Sequence, residues 1–171
     1  DPESIPANEP YGEKPIANAD VINAYYNKKT YTDPAMRTLY TKGGYWVNIR
    51  MIRLSDVILM AAEAANELGK TQEATDYLEM VRARARGTNA AVLPKVTATD
   101  QTVLRNAIRH ERRVELAMEW DRFYDLVRWG TVKQVLHAAG KTGFEDRHVL
   151  LPLPQAEIDK SNGVLIQNPN Y

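Results

Sequence analysis
The run RLSDVILMAAEAANELGKTQEATDYLEMVRARARG, residues 53–87, decides the fold. Leu54, Val57, Ile58, Ala61, Ala62, Ala65 and Leu68 recur at helical spacing, and Gly69 stands where a C-terminal glycine belongs. Thr71 can cap a second helix with Ala74, Tyr77, Leu78, Val81 and Ala85 as its inner face, ended by Gly87. Two helices joined by about three residues lie antiparallel and close-packed. The alanines Ala61, Ala62, Ala65 and Ala74 let the backbones approach.

The hairpin matches the roughly 34-residue tetratricopeptide repeat moderately. With Ser55 as its first residue, Ala62 and Ala74 take the small positions, Gly69 the turn, and Leu78 and Val81 the inward slots of the second helix. The terminal proline of that repeat is absent. A single repeat cannot bury its own face, so the hairpin needs a partner.

Downstream, residues 88–101 read as a polar linker with Pro94, and a threonine or Asp100 caps the next helix. That helix opens TVLRNAIRHERRVELAMEWDRFYDLVRWG, residues 102–130, where Leu104, Ala107, Ile108, Val114 and Met118 form an apolar stripe. Glu111 and Glu115 fall inside the stripe, where an unpaired carboxylate is costly to bury. A short helix follows from Thr131 to about Ala139 with Val132, Val135 and Leu136 inward. HVLLPLP at 148–154 is apolar and extended, residues 154–160 make a short helix, and Asn162-Gly163 turns into VLIQNPNY.

Upstream, Pro2, Pro6, Pro10 and Pro15 mark an irregular arm. Residues 20–28 can form a short helix, and Asp33-Pro34 starts another through about Tyr40. Tyr45 to Ile52 reads as a short strand after the Gly43-Gly44 turn. The fold class is therefore mainly α: a tetratricopeptide-like hairpin plus further helices, irregular proline-rich arms and little strand. Residues 1–52 form the N-terminal arm and 53–171 the helical region, together one compact domain.

Composition bounds the function. The 171 residues carry 22 bases and 22 acids, so the electrostatic footprint of a nucleic-acid binder is missing. There is no cysteine, hence no disulfide, thiolate metal site or cysteine nucleophile. No apolar run approaches the roughly 20 residues needed to cross a bilayer. The start at Asp1-Pro2 suggests a processed or truncated segment.

The acids Glu111, Glu115 and Glu119 share one helix face. A glycosidase needs two carboxylates facing a sugar across a cleft, about 5–10 Å apart. Neighbours on one helix point the same way and suit that poorly. The favoured reading is an ion-pair network, with Arg112, Arg122, Arg82 and Arg86 as partners, and Asp125 with Arg128 as a second pair. His110-Glu111 lacks the second histidine of a zinc protease because position 114 is Val114, and His137 and His148 have no ligand-spaced neighbours. No catalytic residue, metal site or cofactor is expected. Sugar binding uses flat aromatic faces beside planar hydrogen-bonding groups, which makes Tyr45, Trp46, Asn48 and Arg50 the ligand-binding candidates. Tyr25, Tyr26, Tyr31 and Tyr40 add aromatics in the same third of the chain. An ordinary covering role over the hairpin is the favoured alternative for Trp46 and the tyrosines. Trp120 and Trp129 are expected to pack.

Four blocks carry a family resemblance: RLSDVILMAAEAANELGK at 53–70, EATDYLEMVRARA at 73–85, IRHERRVELAMEWDRFYDLVRWG at 108–130, and LLPLPQAEI with QNPNY at 150–158 and 167–171. In order and spacing the chain resembles the C-terminal part of the SusD/RagB family of nutrient-binding surface lipoproteins. Trp120 departs from the pattern, since the family commonly has glycine there. The resemblance implies a Bacteroidetes-type outer-membrane protein with tetratricopeptide-like units, bound to the cell surface through a lipid on N-terminal sequence absent here. It implies a glycan ligand, or a peptide in RagB-like members, delivered to a TonB-dependent transporter. Family members are much longer, so a C-terminal fragment or an unusually short relative is expected. The chain then reads as a non-catalytic glycan-binding and docking module. Peptide capture, or a scaffold with no ligand of its own, are the alternatives, and a glycosidase using Glu111 or Glu115 stands last.

Overall fold
The computed structural model describes residues 27, 29–33, 35, 48 and 50–171. Six α-helices occur among them, with no strand: α1 Leu54–Glu67, α2 Thr71–Arg86, α3 Gln101–Glu115, α4 Asp121–Arg128, α5 Val132–Ala138 and α6 Gln155–Lys160. A 3-10 turn at Asp146–Val149 precedes α6. The expected helices at 20–28 and 34–40 lie almost wholly outside the described residues, as does half of the expected strand. Of that strand, Asn48, Arg50, Met51 and Ile52 are described and are not in a sheet. The chain divides into two compact units, residues 1–118 and 119–171.

In the first unit α1 and α2 form the hairpin, and α3 packs on both. Gly69 makes the reversal at φ +75°. The Gly69 amide donates to Asn66 O at 3.0 Å and that of Lys70 to Ala65 O at 2.9 Å, the paired bonds that close a helix at a left-handed residue. Ala62 and Ala74 are fully buried between the two helices. Leu59, Leu78, Val81, Leu104 and Ile108 fill the remaining space, and Val96 and Ala98 of the linker pack against them. The Asp100 carboxylate caps α3 by accepting from Val103 N at 2.8 Å. Thr71 does not cap α2; it is the first helical residue, and the position before it is Lys70.

Two stripes read from sequence shift in the structure. On α1 the buried face is Ser55, Asp56, Leu59, Ala62, Ala65 and Asn66, while Leu54, Val57 and Leu68 are exposed. α1 is apolar nearly all round, and its inward face is set by where α3 lies, which local periodicity does not encode. On α3, Leu104 and Ile108 are buried, but Val114 and Met118 are exposed and Glu111 and Arg112 take the inward positions. The helix stops at Glu115; Met118 and Trp120 adopt left-handed backbone at φ +64° and +67°. The charged stretch 102–130 thus holds two helices, with residues 116–120 outside both.

In the second unit α4 turns into α5 at Gly130, with Leu126 and Val132 buried. The C-terminal tail is laced to the segment before α6 by side chains. Gln167 accepts from Leu153 N at 2.8 Å and donates to Leu153 O at 2.9 Å. Asn168 donates to Leu151 O at 2.6 Å, and the Tyr171 hydroxyl to Leu150 O at 2.8 Å. HVLLPLP is extended only from Leu150, because His148 and Val149 belong to the 3-10 turn.

Candidate functional site
The inward face of α3 changes chemistry along its length. After Leu104 and Ile108 come Glu111, Arg112 and Glu115, each met by a charge from the hairpin. Glu111, 4% exposed, accepts from Arg82 of α2 at 2.6 Å. The same guanidinium donates to Pro94 O at 2.9 Å, tying the linker to this contact. Arg112, also buried, meets Asp56 of α1 at 2.9 Å. Glu115 accepts from Arg84 at 2.6 Å and from Arg53, which also reaches Ser55.

Burial acts to raise the Glu115 carboxyl pKa, but the Arg53 hydrogen bond and the charges of Arg53 and Arg84 outweigh it and hold it below its ordinary value. The carbonyls at the open end of α3 are met by a lysine and an amide as well. Lys29 donates to Glu115 O at 2.6 Å and Ala117 O at 3.1 Å, and the Asn27 amide to Met118 O at 3.3 Å. Positive charge at a helix C-terminus satisfies free carbonyls and complements the macrodipole.

The partners differ in part from the candidates named by spacing. Arg86 pairs with Glu79, at 2.7 and 3.1 Å, and donates to Leu93 O. Arg122 lies 6.0 Å from the centre of the Trp129 ring, on which Arg128 also stacks at 4.9 Å. Arg128 donates to Asp125 at 2.8 Å. Arg53 and Asp56 were not candidates, because nothing local links them to residues about sixty positions away. Asn66 and Gln101 were missed for the same reason. Asn66 is fully buried and donates to Gln101 O at 3.0 Å, while Gln101 donates to Asn66 O at 2.6 Å, joining the end of α1 to the start of α3.

The aromatic candidates are distributed differently. Tyr45 and Trp46 lie outside the described residues; Asn48 and Arg50 are exposed. Trp129 is half-buried, with Arg128 and Arg122 near its ring. Trp120, expected to pack, is 73% exposed, and Tyr124 is 71% exposed. Phe123 meets Tyr124 edge-on at 5.9 Å and Phe144 at 6.2 Å.

Among the described residues, a helical hairpin is thus braced to a third helix by ion pairs in which Arg82, Arg53 and Arg84 engage Glu111 and Glu115. The chain belongs to the SusD family, whose profile matches residues 8–171. It is 39% identical over 124 residues to SusD-like protein P25 of Formosa agariphila, covering 69% of this chain and 23% of that protein. SusD-like protein P2 of the same organism is 35% identical over 130 residues, covering 70% and 25%. A SusD homologue from Bacteroides thetaiotaomicron superposes with a TM-score of 0.63 at 30% identity, over 70% of this chain and 26% of that one. Surface glycan-binding protein A from Bacteroides thetaiotaomicron gives 0.57 at 31% identity, over 72% and 25%. The chain thus spans about a quarter of the length of these relatives.

Proposed function
We propose that this chain is part of a non-catalytic glycan-binding protein of the cell surface, lipid-anchored in the outer membrane, which passes oligosaccharides to a TonB-dependent transporter. The observation that carries this reading is the similarity, over 72% of the chain, to a protein named for surface glycan binding. The geometry of α3 supports the non-catalytic part. Glu111 and Glu115 are bound by Arg82, Arg53 and Arg84, so neither is placed to protonate a leaving group or attack a sugar. Tyr45, Trp46, Asn48 and Arg50 are proposed ligand contacts, with the aromatic rings stacking and the amide and guanidinium bonding hydroxyls.

Calorimetric titration of the full-length protein with oligosaccharides tests the reading, with product analysis of each mixture. Binding without hydrolysis is expected, weakened in Trp46→Ala. Hydrolysis that disappears in Glu111→Gln would overturn it.

A further inference from the structure
Asn162 is the one asparagine of the chain that glycine follows. With Gly163 it forms the centre of the turn between α6 and the C-terminal tail, at φ +52° and +86°. Val164 N donates to Ser161 O at 3.2 Å across that turn, and Leu165 N donates to Ser161 Oγ at 2.9 Å. Two central residues at positive φ are what Asn-Gly accommodates best. The chemistry lies in what the turn leaves unused. Among the described residues, neither the Asn162 carboxamide nor the Gly163 amide is hydrogen-bonded. Both residues are exposed, and a β-carbon added at Gly163 would meet no atom within 4 Å. A carboxamide carbon and an unshielded amide nitrogen therefore stand side by side in solvent.

We infer that Asn162 is a site of spontaneous deamidation through a cyclic imide, with water as the co-reactant. The Gly163 nitrogen attacks Cγ of Asn162 and loses its proton, a C–N bond forms, and the side-chain nitrogen leaves as ammonia. Water then opens the five-membered ring. Opening at the main-chain carbonyl leaves isoaspartate, whose backbone runs through the former side chain, and opening at the other carbonyl leaves aspartate. Other asparagines lack this pairing. Asn66 is fully buried, the Asn89 carbonyl accepts from Ala91 N at 3.1 Å, and Asn168 precedes a proline, which has no amide proton. Isoaspartate lengthens the main chain by a methylene and adds a negative charge. The bonds of Val164 and Leu165 to Ser161 no longer fit that spacing. Gln167, Asn168 and Tyr171 still tie the far part of the tail to residues 150–153. The modification thus loosens residues 164–166 without releasing the tail.

The test ages the full-length protein in mildly alkaline buffer at body temperature. Samples are read by enzymatic methyl transfer to isoaspartate, by peptide mapping and by deuterium uptake. Isoaspartate is expected first in the peptide holding Asn162, about tenfold more slowly in Gly163→Ala, where a β-carbon shields the nitrogen. Alanine is strained at this φ, so Asn162→His serves as a second variant: histidine accepts left-handed backbone and has no carboxamide. It should give no label in this turn. Uptake at residues 164–166 should rise in aged wild type and stay unchanged in aged Asn162→His. No label at position 162, earlier label at another asparagine, aspartate without isoaspartate, or equal label in Gly163→Ala overturns the inference.

Discussion

Glu111 lies where a core leucine would ordinarily sit, and its carboxylate is held by Arg82 at 2.6 Å with both side chains largely buried. Truncation to alanine leaves that guanidinium without its counter-charge, which costs about 3–5 kcal/mol by comparison with broken buried pairs. Urea melts of Glu111→Ala should show this, whereas apolar replacement of both partners together should be far milder. Glu115 makes stability depend on pH. Its folded pKa is lowered by Arg53 and Arg84 against the opposing effect of burial, so its contribution is full above the unfolded value near 4.5 and is lost as pH falls through the folded one. Glu67 and Glu79 are lowered chiefly by hydrogen bonds from Arg105 and Arg86 and act in the same direction, though salt screens such surface pairs. Acid titration of Glu115→Gln should show a shallower loss of stability below about pH 5 than wild type. That the acids would need arginines was legible from their place in an apolar stripe. Asp56 and Arg53 were not, since such pairing is fixed only when distant helices meet.

At the scale of elements, features that depend on neighbours in the chain were the legible ones. Gly69 stops α1, and adding a β-carbon there would meet no atom within 4 Å, so any penalty is conformational. Gly69→Ala should therefore lower stability by about 1–2 kcal/mol in a thermal melt. Features that depend on packing were less legible. The buried side of α1 turned from Leu54, Val57 and Leu68 towards Leu59 and Asn66, because several faces of that helix are apolar and α3 chose among them. The end of α3 at Glu115 was hidden more completely. The left-handed residues after it are Met118 and Trp120, and neither residue type announces such a backbone. For the same reason Trp120 read as a packing residue although the structure exposes it. The ligand candidates Tyr45 and Trp46 could be chosen by residue type alone, but whether two rings share a platform is a question of geometry.

Across the whole molecule, the two units hold themselves together in different ways. Residues 1–118 have an apolar core of leucines, alanines, Val81 and Ile108. In residues 119–171 much of the order comes from amide and hydroxyl side chains that bind main-chain groups, as Gln167, Asn168 and Tyr171 do. The exposed Leu54, Val57 and Leu68 belong to a repeat-like hairpin, and such units bury their outer stripe only against a neighbour. α3 combines both kinds of cohesion along a single rod, greasy where it begins and salt-bonded where it finishes. It should therefore behave as a zipper with two different teeth. Acid or concentrated salt would open it from the Glu115 end, while loss of a methyl group at Leu104 or Ile108 would loosen the other. Deuterium uptake at pH 4 should accordingly spread from residues 112–116 backwards, and uniform uptake along the helix would rule that order out.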